Sequence, residues 1–269
     1  MIRARGVTVD YGARRAVDDA SLIVATGEVV ALCGPNGAGK SSLIAALAGE
    51  VKPSSGAVHI GGEPIEDIPP RRLARLRAVM EQSPSVSAPF TARALAELAA
   101  PRDLSPAHTA AIVSDALKEV GLSHKADEPV RVLSGGQQRR AHLARALAQL
   151  AAGRALGDGD NQNGGGGALI LDEPTAGLDL SHQIAALEAA QSAAIAGAAV
   201  IVALHDLNLA AAFADRVILM KDGRIVADAA PRAALSGDAL SGLFETRMTV
   251  FPAPNGALCI TPELPQPSP

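Results

Sequence analysis

Aromatic side chains and cysteines are scarce in this chain of 269 residues. It contains no tryptophan, one tyrosine and four phenylalanines, which argues against an aromatic platform for stacking single-stranded nucleic acid. The net charge of −4 argues against the basic face of a general nucleic-acid binder. Nucleic acid is therefore not an expected partner. The two cysteines, Cys33 and Cys259, lie far apart and indicate no disulfide framework, which fits a reducing cytosol.

Long apolar runs are missing as well. The longest uncharged stretch, residues 189–204, is interrupted by Gln191 and Ser192 and is too short to span a bilayer. The first residues include Arg3 and Arg5 and lack the apolar segment of a signal peptide. We therefore expect a protein that is soluble or is held at a membrane by a partner.

Short apolar runs separated by helical patterns dominate the second half of the chain. Strands are predicted at 168–171, 199–204 and 217–220, with helices at 180–195 and 206–213. Strands that alternate with helices indicate a parallel sheet with helices on both faces, which is an α/β fold. A tight turn at 221–224 predicts a final hairpin.

The first half combines strands with a helical insertion. Strands are predicted at 7–9, 21–24, 29–33 and 57–60, and a helix at 41–48. Residues 84–150 read as mostly helical, because Ser105–Pro106 is a typical helix start and another helix begins near Ser134.

Two segments have compositions that do not favour a packed core. Residues 153–167 are rich in glycine and polar residues, which predicts a mobile surface loop. Residues 262–269 contain four prolines, which predicts a frayed tail. No internal repeat is present, so we expect one main unit, residues 1–251, followed by a short strand and proline-rich tail at 252–269.

A glycine-rich loop after the strand at 29–33 matches the pattern G-x-x-x-x-G-K-[ST]. Its residues are Gly34, Pro35, Asn36, Gly37, Ala38, Gly39, Lys40 and Ser41, with Ser42 following. Glycines allow backbone N–H groups to surround phosphates, and the helix that follows directs its positive end at them. Lys40 adds a charge for the β- and γ-phosphates, and the Ser41 hydroxyl is suited to Mg²⁺. The loop therefore predicts ATP binding.

Two carboxylates, Asp172 and Glu173, follow the apolar strand at 168–171. Taken alone, such a pair is usually a polar strand end. Beside a phosphate loop, an Asp at this point holds Mg²⁺ through water, and a neighbouring carboxylate can polarise the attacking water. We therefore expect both residues in the nucleotide site.

A third motif consists of Leu133, Ser134, Gly135, Gly136 and Gln137. Ser134 and Gln137 fit a helix capping box, but capping does not explain two glycines in a first helical turn, since each weakens a helix by about 1 kcal/mol relative to alanine. Glycines there suit a phosphate that approaches a bare helix N-terminus.

These motifs, in this order, resemble the ATP-binding-cassette (ABC) family over residues 2–251, with residues 133–137 matching its LSGGQ signature. The resemblance implies a P-loop NTPase with a RecA-like mixed sheet core, an antiparallel β subdomain and an inserted helical subdomain at about 84–150. It also implies roles for single residues. These are Tyr11 in adenine stacking, Gln82 in sensing Mg²⁺ and water, Asp179 at the dimer interface, His205 at the γ-phosphate and Glu173 as catalytic carboxylate, with Ser41, Gln82 and Asp172 around Mg²⁺.

The resemblance further implies how such a chain works. Two cassettes pair head to tail with ATP between the phosphate loop of one and the signature of the other, and closure drives integral-membrane permease subunits. The expected setting is the cytoplasmic face of a bacterial inner membrane, with a solute-binding protein outside.

The substrate is indicated less sharply. The segment 78–84 with 88–91, an insertion between 150 and 168 and the ending at 216–224 are similar to importers of metal chelates, most of all to their haem branch. Ferric siderophore or cobalamin import stays open as an alternative, as does a soluble ABC ATPase of iron–sulfur cluster assembly. A nucleotide-binding regulator without turnover is disfavoured by the presence of Glu173 and His205.

Overall fold

A computed structural model of the protein describes residues 1–82, 88–101, 103–157 and 166–263. The chain has an α/β fold with two main sheets and helices around them, as the sequence predicts. Within these described ranges, no helix is both long enough and apolar enough to cross a membrane.

A six-stranded sheet forms the centre of the molecule. Its strands are β3 (Val29–Cys33), β6 (Arg77–Met80), β7 (Ala168–Asp172), β8 (Ala199–Ala203), β9 (Arg216–Lys221) and β10 (Arg224–Ala229). They lie in the order β10-β9-β3-β8-β7-β6, and every pair is parallel except the β9–β10 hairpin. All residues of β3, β7 and β8 are buried, because a parallel sheet is covered on both faces.

A four-stranded antiparallel sheet packs beside the centre. It contains β1 (Ile2–Tyr11), β2 (Arg14–Val24), β4 (Ser55–Ile60) and β5 (Glu63–Pro64), in the order β2-β1-β4-β5. Alternate residues of β1 and β2 enter the core that helix α1 (Lys40–Ala48) shares with one face of the central sheet.

The remaining helices cover the other face and build a separate helical layer. They are α2 (Pro70–Leu76), α3 (Ala92–Glu97), α4 (Pro106–Glu119), α5 (Gly135–Ala155), α6 (Leu180–Ile195), α7 (Leu207–Phe213), α8 (Pro231–Ala234) and α9 (Gly237–Phe244). Helices α3, α4 and α5 pack on one another. Ser105 caps α4 by accepting a hydrogen bond from the His108 N–H, as its sequence predicts. Residues 83–87, where the predicted helical region begins, lie outside the described residues.

The prediction of a mobile loop at 153–167 is wrong at both ends of the segment, where the backbone is closely packed. Helix α5 continues to Ala155, and Gly153 packs so tightly that a Cβ atom there would lie 2.0 Å from the Arg75 carbonyl oxygen. Gly166 is packed equally tightly, with only 1.8 Å between such a Cβ and the Gly197 carbonyl oxygen. These glycines permit close backbone approach rather than mobility. Residues 158–165 of the predicted loop lie outside the described residues.

The C-terminal region is more ordered than its composition indicates. Strands β11 (Met248–Pro252) and β12 (Leu258–Pro262) form a hairpin, so the boundary placed between 251 and 252 cuts through a strand. Asn208 of α7 holds the hairpin, because its side chain accepts from the Ile260 N–H at 2.9 Å and donates to the Ile260 carbonyl at 3.2 Å. Residues 264–269 of the predicted tail lie outside the described residues.

A buried histidine in α5 makes the stability of the fold depend on pH. His142 is 5% exposed, and burial lowers the pKa of its imidazole to about 4, with Arg145 and Arg139 acting in the same direction. The unfolded imidazole binds a proton below about pH 6.5, whereas the folded one stays neutral until about pH 4. Protonation of the unfolded chain therefore lowers the free energy of unfolding as the pH falls from about 6.5 to about 4. Well above pH 6.5 His142 is neutral in both states and has no such effect.

We expect the His142→Gln variant to lose less stability on acidification than the wild type. Urea unfolding at pH 7.5 and at pH 5 gives the free energy of unfolding that each protein loses on acidification. At a pKa shift of this size, the wild type should lose about 2 kcal/mol more than His142→Gln. His108→Gln is the matched control, because His108 is exposed on α4. An equal loss of stability in wild type and His142→Gln would contradict this account of His142.

Candidate nucleotide site

The phosphate loop is built by close backbone packing between β3 and α1. Gly34 has φ 150° and Gly39 has φ 101°, values that L side chains rarely adopt. A Cβ atom would lie 2.3 Å from the Met220 carbonyl oxygen at Gly34 and 2.2 Å from the Ala16 carbonyl oxygen at Gly39. Glycine is therefore required at both positions, and the loop leads directly into the N-terminus of α1, where anions are favoured.

Lys40, the first residue of α1, folds its side chain back into the loop. Its Nζ donates to the carbonyl oxygens of Gly34 at 2.7 Å and Pro35 at 3.1 Å, and the residue is only 6% exposed. Burial lowers the pKa of the ammonium group, while the nearby charges of Glu173 and Asp172 act in the opposite direction. A cation is thus held at the loop, next to two carboxylates.

Asp172, the last residue of β7, carries an oxygen that is ready for a ligand. The residue is 5% exposed, and no protein group within the described residues hydrogen-bonds to its Oδ1. Burial raises the pKa of Asp172, while a hydrogen bond with Ser41 lowers it. An unpartnered buried carboxylate oxygen beside a hydroxyl group fits Mg²⁺, which prefers oxygen ligands.

The described part of the chain offers no group of three His, Cys, Asp or Glu side chains that could hold a metal by themselves. This does not conflict with the sequence prediction, which places Mg²⁺ among Ser41, Gln82 and Asp172. Magnesium usually keeps waters and takes its remaining ligands from one or two protein groups and substrate phosphates.

Glu173 and His205 meet at the carboxyl-terminal edge of the central sheet. Glu173 follows β7 and His205 lies just beyond β8, so two adjacent parallel strands deliver them to the same edge. The His205 Nε2 and Glu173 Oε1 atoms lie 2.5 Å apart. The Glu173 side chain is 12% exposed and the His205 side chain 46% exposed, so the pair opens to a cleft from one side.

The cleft above the phosphate loop has a volume of about 490 Å³ and a mostly polar lining. It is lined by Arg14, Asn36, Gly37, Gly39, Lys40, Ser41, Ser42, Gln82, Glu173 and His205. Residues from five separate segments of the sequence therefore meet in one space. Its size and charge suit the phosphates of a nucleotide.

Arg14 is a member of the cleft that sequence reasoning missed. It begins β2 and pairs across the β1–β2 turn with Tyr11, which is half exposed at the end of β1. The one sequence feature that could have indicated Arg14 is its position three residues after Tyr11, which the family resemblance places at the adenine. Three predicted loop residues, Gly34, Pro35 and Ala38, are not among the lining residues of the cleft. A 3.2 Å hydrogen bond from the Ala38 N–H to the Pro35 carbonyl stabilises the turn of the loop.

The residues of the LSGGQ segment form the N-terminus of α5. Ser134 and Gln137 make the reciprocal capping box that their spacing predicts, with distances of 3.3 and 3.0 Å. Leu133 is buried, whereas Ser134 and Gly135 are exposed. Gly136 packs against the loop after Glu173, since a Cβ atom there would lie 3.2 Å from Leu178 Cδ2. The exposed helix start is accessible to an anion from outside the chain.

Asp179 caps helix α6 rather than standing free. Its Oδ1 accepts from the His182 N–H at 3.0 Å and the Ser181 hydroxyl at 2.9 Å, and the His182 Nδ1 lies 2.6 Å away. These hydrogen bonds, that of the His182 backbone first, lower the pKa of the exposed carboxyl to about 2. Sequence reasoning did not identify the contact with His182.

The sequence profile described as ABC transporter matches residues 17–152. The chain belongs to this family. It is an ATPase that drives transport. The chain is similar to the hemin import ATP-binding protein HmuV of Rhodopseudomonas palustris, to which it is 44% identical over 249 residues, covering 92% of this chain and 89% of the relative. The HmuV protein of Nocardia farcinica is 42% identical over 270 residues, covering 97% and 88%.

Solved structures agree with the family assignment. A dimeric bacterial ABC transporter cassette superposes with a TM-score of 0.72 at 26% identity, covering 86% of this chain and 99% of that cassette. The family resemblance and the α/β P-loop fold expected from the sequence are thereby confirmed.

Proposed function

We propose that this chain is the ATP-binding and ATP-hydrolysing subunit of an ABC importer that takes up haemin. The observation that carries this proposal is the similarity, over at least 92% of the chain, to relatives named as hemin import ATP-binding proteins in Rhodopseudomonas palustris and Nocardia farcinica. The phosphate loop, the carboxylates and the histidine of the cleft support ATP binding and hydrolysis by such a subunit. In this proposal haemin is bound by the other subunits of the importer.

The residues of the cleft divide the work of hydrolysis. Lys40 and the backbone N–H groups of the loop bind the phosphates. Asp172 and Ser41 would hold Mg²⁺ with Gln82, and the ion, when bound, offsets phosphate charge. Glu173 orients and polarises the attacking water as general base.

His205 and Tyr11 complete the proposed site. His205 contacts the γ-phosphate and, through its bond to Oε1, holds the Glu173 carboxylate in one orientation. The half-exposed ring of Tyr11 offers a face on which adenine stacks.

We further propose that the chain acts as a homodimer. The exposed N-terminus of α5, residues 133–137, would receive the phosphates bound to the partner's loop, and Asp179 would lie at the interface. The dimer would dock on integral-membrane permease subunits at the cytoplasmic face of the inner membrane, with a solute-binding protein on the other side. The dimeric family member of the same fold supports the homodimer.

Growth on haemin tests the substrate assignment. A strain lacking this gene should fail to grow on haemin as sole iron source and should grow normally on ferric salt. The wild-type gene should restore growth on haemin, and Glu173→Gln should not. Normal growth of the deletion strain on haemin would contradict haemin import and direct the search to ferric siderophores and cobalamin. Co-purification with soluble partners only would favour iron–sulfur cluster assembly.

A further inference from the structure

An arginine of helix α5 contacts the segment that carries the proposed catalytic carboxylate. The Nη1 atom of Arg139 donates to the main-chain carbonyl oxygen of Glu173 at 2.6 Å, although the two residues are 34 apart in sequence. Arg139 is partly buried and lies two residues beyond the LSGGQ segment. A charged donor at this distance makes a stronger hydrogen bond than a neutral one.

The backbone at Glu173 needs such support. Its φ of 51° lies in the left-handed region, which is unfavourable for a residue with a side chain. Conformations of this kind persist only where surrounding contacts fix them. Here the Glu173 N–H donates to the Ala203 carbonyl at 3.2 Å, and the Glu173 carbonyl accepts from Ala176 at 3.2 Å as well as from Arg139.

This peptide orientation determines where the side chain points. A rotation of the Glu173 peptide would move the carboxylate relative to His205 Nε2, which it contacts at 2.5 Å. The same helix also meets the following loop through Gly136 and Leu178. The start of α5 therefore touches the loop after β7 at two points, on either side of Pro174.

We propose that Arg139 is a positioning residue for hydrolysis. It holds the Glu173 peptide so that the carboxylate stays against His205 and faces the cleft. The inference rests on the proposed role of Glu173 as general base. Arg139 touches neither the nucleotide nor the attacking water in this scheme, so its removal should lower kcat and leave ATP binding intact.

Another arginine of α5, Arg154, provides a matched control for Arg139. Arg154, near the other end of the helix, also donates to main-chain carbonyls, those of Gly166 at 2.9 Å and Ala193 at 2.8 Å. Neither carbonyl belongs to the nucleotide cleft. Arg154→Gln therefore removes the same kind of contact from the same helix without disturbing Glu173.

The experiment measures kcat and KM for ATP on the full-length chain with Mg²⁺. We expect Arg139→Gln to lower kcat about tenfold, a part of the 10²–10⁴-fold that a positioned base contributes, with KM changed by less than about threefold. Arg139→Lys, which keeps a charged donor, should recover part of the loss. Arg154→Gln should keep the wild-type kcat. Thermal unfolding of each variant shows which of them fold.

A double variant separates positioning from general damage. If Arg139 acts through Glu173, then Arg139→Gln combined with Glu173→Gln should hydrolyse ATP at the residual rate of Glu173→Gln alone. A further tenfold loss in the double variant would overturn the proposal, as would a wild-type kcat in Arg139→Gln. A wild-type kcat in Glu173→Gln would instead refute the role of Glu173 itself.

Discussion

Replacing Glu173 by glutamine is expected to reduce ATP hydrolysis by about 10²–10⁴-fold, the range that a general base contributes. Glutamine keeps the size of the side chain and removes the charge that we propose polarises the attacking water. The residue touches His205 and lines the cleft, whereas the phosphate loop is built by other segments. ATP affinity should therefore remain close to that of the wild type.

Two measurements check this prediction. Release of phosphate under saturating Mg²⁺–ATP gives the rate, and gel filtration with ATP and Mg²⁺ should show a stable dimer of Glu173→Gln, because bound ATP is no longer hydrolysed. Glu188→Gln is the control for the same chemical change, since Glu188 is exposed on α6. The mechanism would be contradicted if Glu173→Gln eluted only as a monomer with ATP and Mg²⁺, or if it released phosphate at nearly the wild-type rate.

Replacing Lys40 by methionine should weaken both binding and hydrolysis. Methionine fills a similar volume but removes the only buried ammonium group among the described residues of the loop. Hydrogen bonds to charged groups contribute about 1.5–3 kcal/mol each, so we expect kcat/KM to fall by roughly 100-fold or more.

Fluorescent-nucleotide binding and steady-state hydrolysis together measure this loss. Lys52→Met is the matched control, because the Lys52 side chain is 82% exposed and pairs with Glu66. The loss of nucleotide affinity expected of Lys40→Met distinguishes it from Glu173→Gln, which should still bind ATP. Unchanged nucleotide affinity in Lys40→Met would contradict the role given to the ammonium group.

Local sequence patterns predicted the parts of the fold that depend on neighbouring residues. The apolar runs of β3, β7 and β8, the cap at Ser105 and the reciprocal bonds of Ser134 and Gln137 all involve contacts within one element or a fixed period. The glycines of the phosphate loop also follow from a local pattern, although the carbonyls that they approach lie elsewhere.

What the sequence could not show depends on contacts between distant segments. Glycine at 153 and 166 suggested mobility, yet each allows two backbones to meet, which composition does not reveal. The bond from Arg139 to the Glu173 carbonyl joins elements 34 residues apart and has no local signature. The hairpin β11–β12 is held by Asn208, from another part of the chain.

The most direct test is uptake of haemin into membrane vesicles that contain the permease and this subunit, with ATP enclosed and the solute-binding protein outside. We expect wild-type protein to support uptake that stops when ATP is omitted, and Glu173→Gln to support none while still binding ATP. Uptake of haemin by the Glu173→Gln vesicles at the wild-type rate would contradict the claim that hydrolysis in this cleft powers transport.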